Sequence, residues 1–123
     1  MKYSIVIPTY NNCEKYLKPC VDSVLKYSNM DEVELIISAN GCTDNTKVYL
    51  DYLVTAVPGL KVIWNDAALG YSGANNVAIK AATCDKIVLL NNDTVLLDQP
   101  RNHWLEALDG PFKDVDCGIS CVI

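Results

Sequence analysis

Residues 86–97, KIVLLNNDTVLL, decide how this chain is read: an apolar run over 86–90 gives way at once to Asn91-Asn92-Asp93-Thr94. A short apolar run bounded by turn residues suits a strand buried in a sheet, with the polar cluster marking its end. The same grammar recurs upstream. Residues 3–8, YSIVIP, 33–39, VELIISA, and 60–64, LKVIW, are further apolar runs, each followed by polar or turn-forming residues. Between them the period changes. Leu17, Val21, Val24 and Leu25 recur at helical spacing, and Thr43 or Asp44 is placed to cap a second helix bearing Val48, Leu50, Tyr52 and Leu53, which Pro58-Gly59 ends. Residues 74–82 have strong helical propensity and an apolar face through Val77, Ala78 and Ala81. Past residue 97, Trp104, Leu105 and Leu108 fit a short helix, and 117–123, CGISCVI, reads as one more strand.

Strands alternating with helices imply parallel pairing through crossovers, so the expected fold class is α/β: a Rossmann-like open, mainly parallel, doubly wound sheet. In such sheets ligands bind outside the carboxyl ends of the strands. Thr9-Tyr10-Asn11, Asn40-Gly41 and Asn91-Asn92-Asp93 should therefore gather at one edge.

The chain has 123 residues, half of them hydrophobic, which is enough for one core and one domain. Ten basic against fifteen acidic residues give a net charge of -5, with no basic run, so nucleic acid is not an expected partner. Six cysteines with no CxxC pair and one histidine, His103, do not make a zinc ligand set. Met1 to Pro8 has neither a cationic leader nor a small-residue cleavage site, and no apolar stretch nears the ~20 residues of a transmembrane segment. A cytoplasmic, reducing compartment is expected, with the cysteines acting as buried or half-buried hydrophobes.

Asn91-Asn92-Asp93 is the sharpest chemical feature, since a strand end can hold a carboxylate where a hard cation meets a diphosphate. Mg2+ or Mn2+ takes oxygen ligands, often only one or two from protein. The same residues are also good turn chemistry, so an Asx turn closing the strand is the alternative. Gly70 to Asn76, GYSGANN, opens a helix whose free amides can approach an anion, though it matches neither GxxxxGK[ST] nor GxGxxG. Thr9-Tyr10-Asn11 offers a hydroxyl, an aromatic face and an amide, which suit a nucleobase or a plain surface turn equally. Asp44 is explained by its place at a helix start, and His103 beside Trp104 reads as a packing pair.

Order and spacing together carry more. IVIPTYNN at 5–12, ELIISANGCTDNT at 34–46, NDAALGYSGANNVAIKAA at 65–82 and KIVLLNNDTVLL at 86–97 resemble the family 2 glycosyltransferases, inverting enzymes of the GT-A fold. The resemblance implies that residues 1–123 are a nucleotide-sugar-binding domain, the N-terminal part of a longer enzyme. It implies that the Pro8-Thr9-Tyr10 loop and the Asn40 turn flank the base, that Asn11 belongs to the same nucleotide-sugar site, and that Gly70, Tyr71 and Asn76 lie near the nucleoside. Asn91-Asn92-Asp93 matches the family's acidic motif in Asn-x-Asp form. By that match Asp93 holds Mn2+ or Mg2+, and Asn91 and Asn92 belong to the donor site. Ala39 stands where the family usually has an aspartate, and Cys42 where it has a serine.

The implied reaction is transfer of a hexose from a nucleoside diphosphate sugar, with inversion, to a carbohydrate or lipid-linked acceptor. No residue of the chain matches the family's catalytic base. A membrane-peripheral location through a longer parent protein fits the same reading. Two alternatives stay open: a non-catalytic binding or assembly module, prone to self-association at an open apolar edge, and a nucleotidyltransferase, whose usual basic glycine-rich loop is missing.

Overall fold

The computed structural model describes residues 1–121. Four strands, β1 (Tyr3–Thr9), β2 (Val33–Asn40), β3 (Lys61–Asn65) and β4 (Lys86–Leu89), form one sheet in the order β3-β2-β1-β4. Every pairing is parallel, with Tyr3 opposite both Val33 and Lys86, and Ile36 opposite Lys61. Four α-helices follow the chain: α1 (Lys18–Tyr27), α2 (Thr46–Ala56), α3 (Gly70–Ala81) and α4 (His103–Asp109). Except for the strand over 117–123, the expected elements are present with ends moved by a few residues. The largest shift is in α3, which begins at Gly70 rather than Ala74.

Strand alternation sorts the helices onto two faces. Ile5, Ile7, Leu35, Ile37 and Ala39 point to one side, where Leu17, Val21 and Val24, Leu50 and Leu53 of α2, and Leu105 of α4 complete the main core. Val6 and Ile36 point to the other and meet Ala78 of α3. β1 and β2 are therefore buried on both faces, as their unbroken apolar runs require. Each fully buried Leu, Ile or Val contributes ~1.5–3 kcal/mol, so these two strands hold the sheet together. On α2, Val48 and Tyr52 face water and only Leu50 and Leu53 of the expected stripe are buried.

The face of β4 toward α3 is bare. Ile87 and Leu89, which align with Ser4 and Val6, are 39% and 49% exposed. A cluster of polar groups on the same face lies at its amino end. Buried Glu34 accepts hydrogen bonds from Ser4 Oγ (2.9 Å), Thr83 N (2.9 Å), Thr83 Oγ1 (2.6 Å) and Lys61 Nζ (3.1 Å). Burial by itself raises the Glu34 pKa, but the bonds from Thr83, Lys61 and Ser4 outweigh it and carry the value from 4.5 down to about 2.

The strand expected over 117–123 is not formed at the described residues 117–121. Residues 117–121 have no regular structure and 122–123 lie outside the described residues. A strand needs a neighbouring ladder, and the β-branched run had supplied only propensity. Cys13 and Cys20 are buried, Cys42, Cys84 and Cys117 half-buried and Cys121 exposed, all as free thiols.

Candidate active site at the carboxyl edge of the sheet

Because β1 lies between β2 and β4, the chain leaves β1 toward one side of the sheet and returns to it on the other, which opens a crevice at the carboxyl edge. A cleft of about 340 Å³ lies there, lined by Pro8, Thr9 and Tyr10 after β1, by Asn12 and Tyr16, by Asn40 at the end of β2, by Ala68, Gly70 and Tyr71, and by Asn92 after β4. Seven of the residues singled out from sequence thus share one cavity: Pro8, Thr9, Tyr10, Asn40, Gly70, Tyr71 and Asn92. Two of its aromatic side chains are open to solvent, Tyr10 at 54% and Tyr71 at 56% exposed.

Hydrogen bonds tie the walls to one another. Asn92 Nδ2 donates to Thr9 Oγ1 at 3.1 Å, joining the β4 and β1 ends. Asn40 Oδ1 accepts from Leu69 N at 2.6 Å and its Nδ2 donates to Gly70 O at 3.4 Å, so both ends of this amide are used in fixing the entry to α3. Gly70 takes a left-handed φ of 73° there, which a residue without Cβ adopts at no steric cost. Gly41, at φ 68°, lets the β2 loop press on the β3 loop: a Cβ would meet Ala68 N at 2.8 Å.

The remaining candidates lie around the cavity. Asn11 turns its side chain toward Thr43 and Asp44. Asn76 is exposed on α3. Asn91 is exposed, and its carbonyl accepts from Thr94 N at 3.1 Å, closing the turn that carries Asp93. Asp93 is itself exposed, one residue beyond the wall residue Asn92. Its charge reaches inward: burial first and then Asp93 push the Cys20 thiol up to about 11, so that cysteine stays protonated. Ala39 is fully buried in the main core. Asn12, Tyr16 and Ala68 were not picked out from sequence, although Tyr16 lies one helical turn beyond the Asn-Asn pair that follows β1.

No lysine, arginine or histidine lines the cleft, and no group of three or more His, Cys, Asp or Glu residues is gathered for a metal among the described residues. A single exposed carboxylate beside a neutral amide is nonetheless a fitting donor set for Mg2+ or Mn2+, which completes its shell with phosphate and water. Asp93 would hold the ion from the protein side.

A parallel α/β sheet with a polar and aromatic crevice at its switch point defines a class of ligand-binding domains. Within that class the assignment is narrow: residues 4–122 match the model of Glycosyl transferase family 2, and the chain belongs to that family. It is 29% identical over 116 residues to Glycosyltransferase GlyG of Streptococcus pneumoniae, covering 94% of this chain and 36% of that protein. Over 94 residues it is 33% identical to the UDP-Glc:alpha-D-GlcNAc-diphosphoundecaprenol beta-1,3-glucosyltransferase WfgD of Escherichia coli, covering 75% of this chain and 35% of that one. The S. aureus TarS fragment 1–349 in complex with UDP superposes with a TM-score of 0.74 at 26% identity, covering 90% of this chain and 32% of that chain. The fold is that of the GT-A glycosyltransferases, and the chain spans about a third of the length of these relatives. No helix among the described residues is long and apolar enough to cross a membrane.

Proposed function

We propose that this chain is the nucleotide-sugar-binding part of an inverting glycosyltransferase that moves a hexose from a nucleoside diphosphate sugar to a carbohydrate or lipid-linked acceptor. The observation that carries the reading is the cleft: two exposed tyrosines, a hydroxyl and three amides at the switch point, with Asp93 just beyond the wall. Tyr10 and Tyr71 offer aromatic faces to the base, while Thr9 and Asn92 offer hydrogen-bonding groups to ribose or sugar. The UDP-Glc donor of WfgD and the UDP complex of TarS support a nucleoside diphosphate donor, and the diphosphoundecaprenol-linked acceptor of WfgD a lipid-linked acceptor.

Since the cleft has no cationic side chain, the diphosphate charge needs another counterweight, and Asp93 is the residue assigned to anchor Mn2+ or Mg2+. A bound divalent ion supplies Lewis-acid stabilisation to the departing nucleoside diphosphate. The base that activates the acceptor is assigned to the remainder of a longer protein, cytoplasmic and peripheral to the membrane.

Calorimetric titration of UDP, GDP and dTDP, with and without Mn2+, tests the reading. At least one nucleotide is expected to bind more tightly with metal, and Asp93→Ala to remove that increment. Metal-independent binding that survives Asp93→Ala would overturn the metal assignment. In the longer protein, release of nucleoside diphosphate rather than pyrophosphate separates a glycosyltransferase from a nucleotidyltransferase.

The bare face of β4 favours a second reading, in which the isolated chain is an assembly module that associates with itself through Ile87 and Leu89. Sedimentation over a wide concentration range tests it, and a strict monomer counts against it.

A further inference from the structure

The loops that follow β1 and β2 exchange hydrogen bonds. Asn11 Oδ1 accepts from Thr43 N at 2.8 Å and from Asp44 N at 3.3 Å, while its Nδ2 donates to Thr43 Oγ1 at 3.3 Å. In return Asp44 Oδ2 accepts from Asn12 N at 2.7 Å, and Asp44 Oδ1 takes Thr46 N at 3.0 Å together with the Thr46 hydroxyl. All polar atoms of both side chains are thereby engaged inside the protein.

The bonds converge on a backbone that needs holding. Asn11 and Asn12 are consecutive left-handed residues, with φ of 46° and 55°. Asparagine tolerates this region better than most residues, yet two in a row are unfavourable unless the surroundings fix them. The turn also sets one wall of the cleft. Tyr10 precedes it, Asn12 is within it, and Asn12 O accepts from Tyr16 N at 3.1 Å to start the π-helical turn Cys13–Leu17. Tyr10, Asn12 and Tyr16 all line the cavity.

We infer that Asn11 and Asp44 are positioning residues, a reciprocal clamp between two loops that holds the left-handed Asn11-Asn12 turn and so keeps Tyr10, Asn12 and Tyr16 in the geometry that binds nucleotide. The inference rests on the nucleotide reading of the cleft. It gives Asn11 a different task from the place among the nucleotide-sugar-binding residues that the family resemblance implies, and it gives Asp44 more than the start of α2.

The test is calorimetric titration of UDP, GDP and dTDP with Mn2+ into wild type, Asn11→Gly, Asp44→Ala, Asp44→Asn and the Asn11→Gly/Asp44→Ala double variant, with melting curves for each. Amide hydrogen exchange at Asn12 is followed in parallel. Glycine accepts the left-handed φ, so Asn11→Gly removes the clamp while leaving the turn accessible. Each of Asn11→Gly and Asp44→Ala is expected to weaken nucleotide binding about tenfold, and the double variant by much less than the product, because both open the same turn. Asn12 exchange should accelerate in both, and Asp44→Asn, which keeps one acceptor oxygen and folds if Asp44→Ala does not, should recover part of the affinity. Unchanged affinity in both single variants, or fully multiplicative losses in the double, overturns the clamp. If wild type binds none of the three nucleotides, the nucleotide reading itself fails, and the clamp stands or falls on Asn12 exchange alone.

Discussion

Glu34 and Asp93 are both carboxylates beside parallel strands, and the fold treats them oppositely. Glu34, at the amino edge, is buried and accepts four hydrogen bonds from Ser4, Thr83 and Lys61. Asp93, at the carboxyl edge, is exposed beyond the end of β4. The amino edge consumes its polar groups internally, and the carboxyl edge leaves several pointing outward, into or beside a cleft. A satisfied carboxylate stabilises, whereas an open one is available for a ligand.

The contrast can be broken most severely at its closed end. Glu34→Ala leaves Ser4 and Thr83 without their buried acceptor, at about 1–3 kcal/mol for each group left unsatisfied, while Lys61, whose side chain is 42% exposed, can turn to water. Urea unfolding should show that loss. At a temperature where the variant remains folded, nucleotide affinity should change little, because the substitution lies at the far edge of the sheet.

Acid should reproduce part of that effect without a mutation. Since the folded-state pKa of Glu34 is depressed from 4.5 to about 2, its contribution is fully present above about pH 4.5 and is lost as the pH falls toward 2. Far-ultraviolet dichroism in moderate urea should therefore show an unfolding midpoint that falls across that window. Glu34→Gln should flatten the fall; an equally steep response would assign it to other groups.

At the open end the expectations reverse and become smaller in stability. Asp93→Ala should leave the unfolding free energy within about 0.5 kcal/mol of wild type, as for an exposed surface site, while removing the metal-dependent gain in nucleotide affinity. Asn92→Ala is the mildest: loss of a neutral hydrogen-bonding amide should weaken binding by ~0.5–1.5 kcal/mol in the same titration, with or without metal. A large stability loss in either variant would erase the distinction between the two edges.

The fold was legible because its information is local and periodic. The apolar runs of β1 and β2 need burial on two faces, and the turn residues after them sit where parallel strands deliver them to one edge. Residues 117–123 show the limit, since CGISCVI has strand propensity but pairing depends on a neighbour that no local pattern names. The site was legible residue by residue and not bond by bond. Thr9, Tyr10 and Asn92 could be placed at the edge from strand ends alone. That Asn40 spends its amide on Leu69 and Gly70, or Asn11 its amide on Thr43 and Asp44, depends on how distant loops approach, and spacing within one segment does not encode it. Tyr16 entered the cleft through the same kind of event, the left-handed turn at Asn11-Asn12.

Gly41 extends that point from binding to heredity. Its backbone lies so close to Ala67 and Ala68 that a Cβ would come within 3.0 Å of main-chain atoms, which cannot swing aside as a side chain can. Among random single substitutions, position 41 should return almost no folded clones, whereas Gly110, with open space around its Cβ position and no left-handed φ, should accept many. The junction beneath the cleft is thus nearly fixed, and lineages that alter the cleft must do so without touching the residue that lets its loops meet.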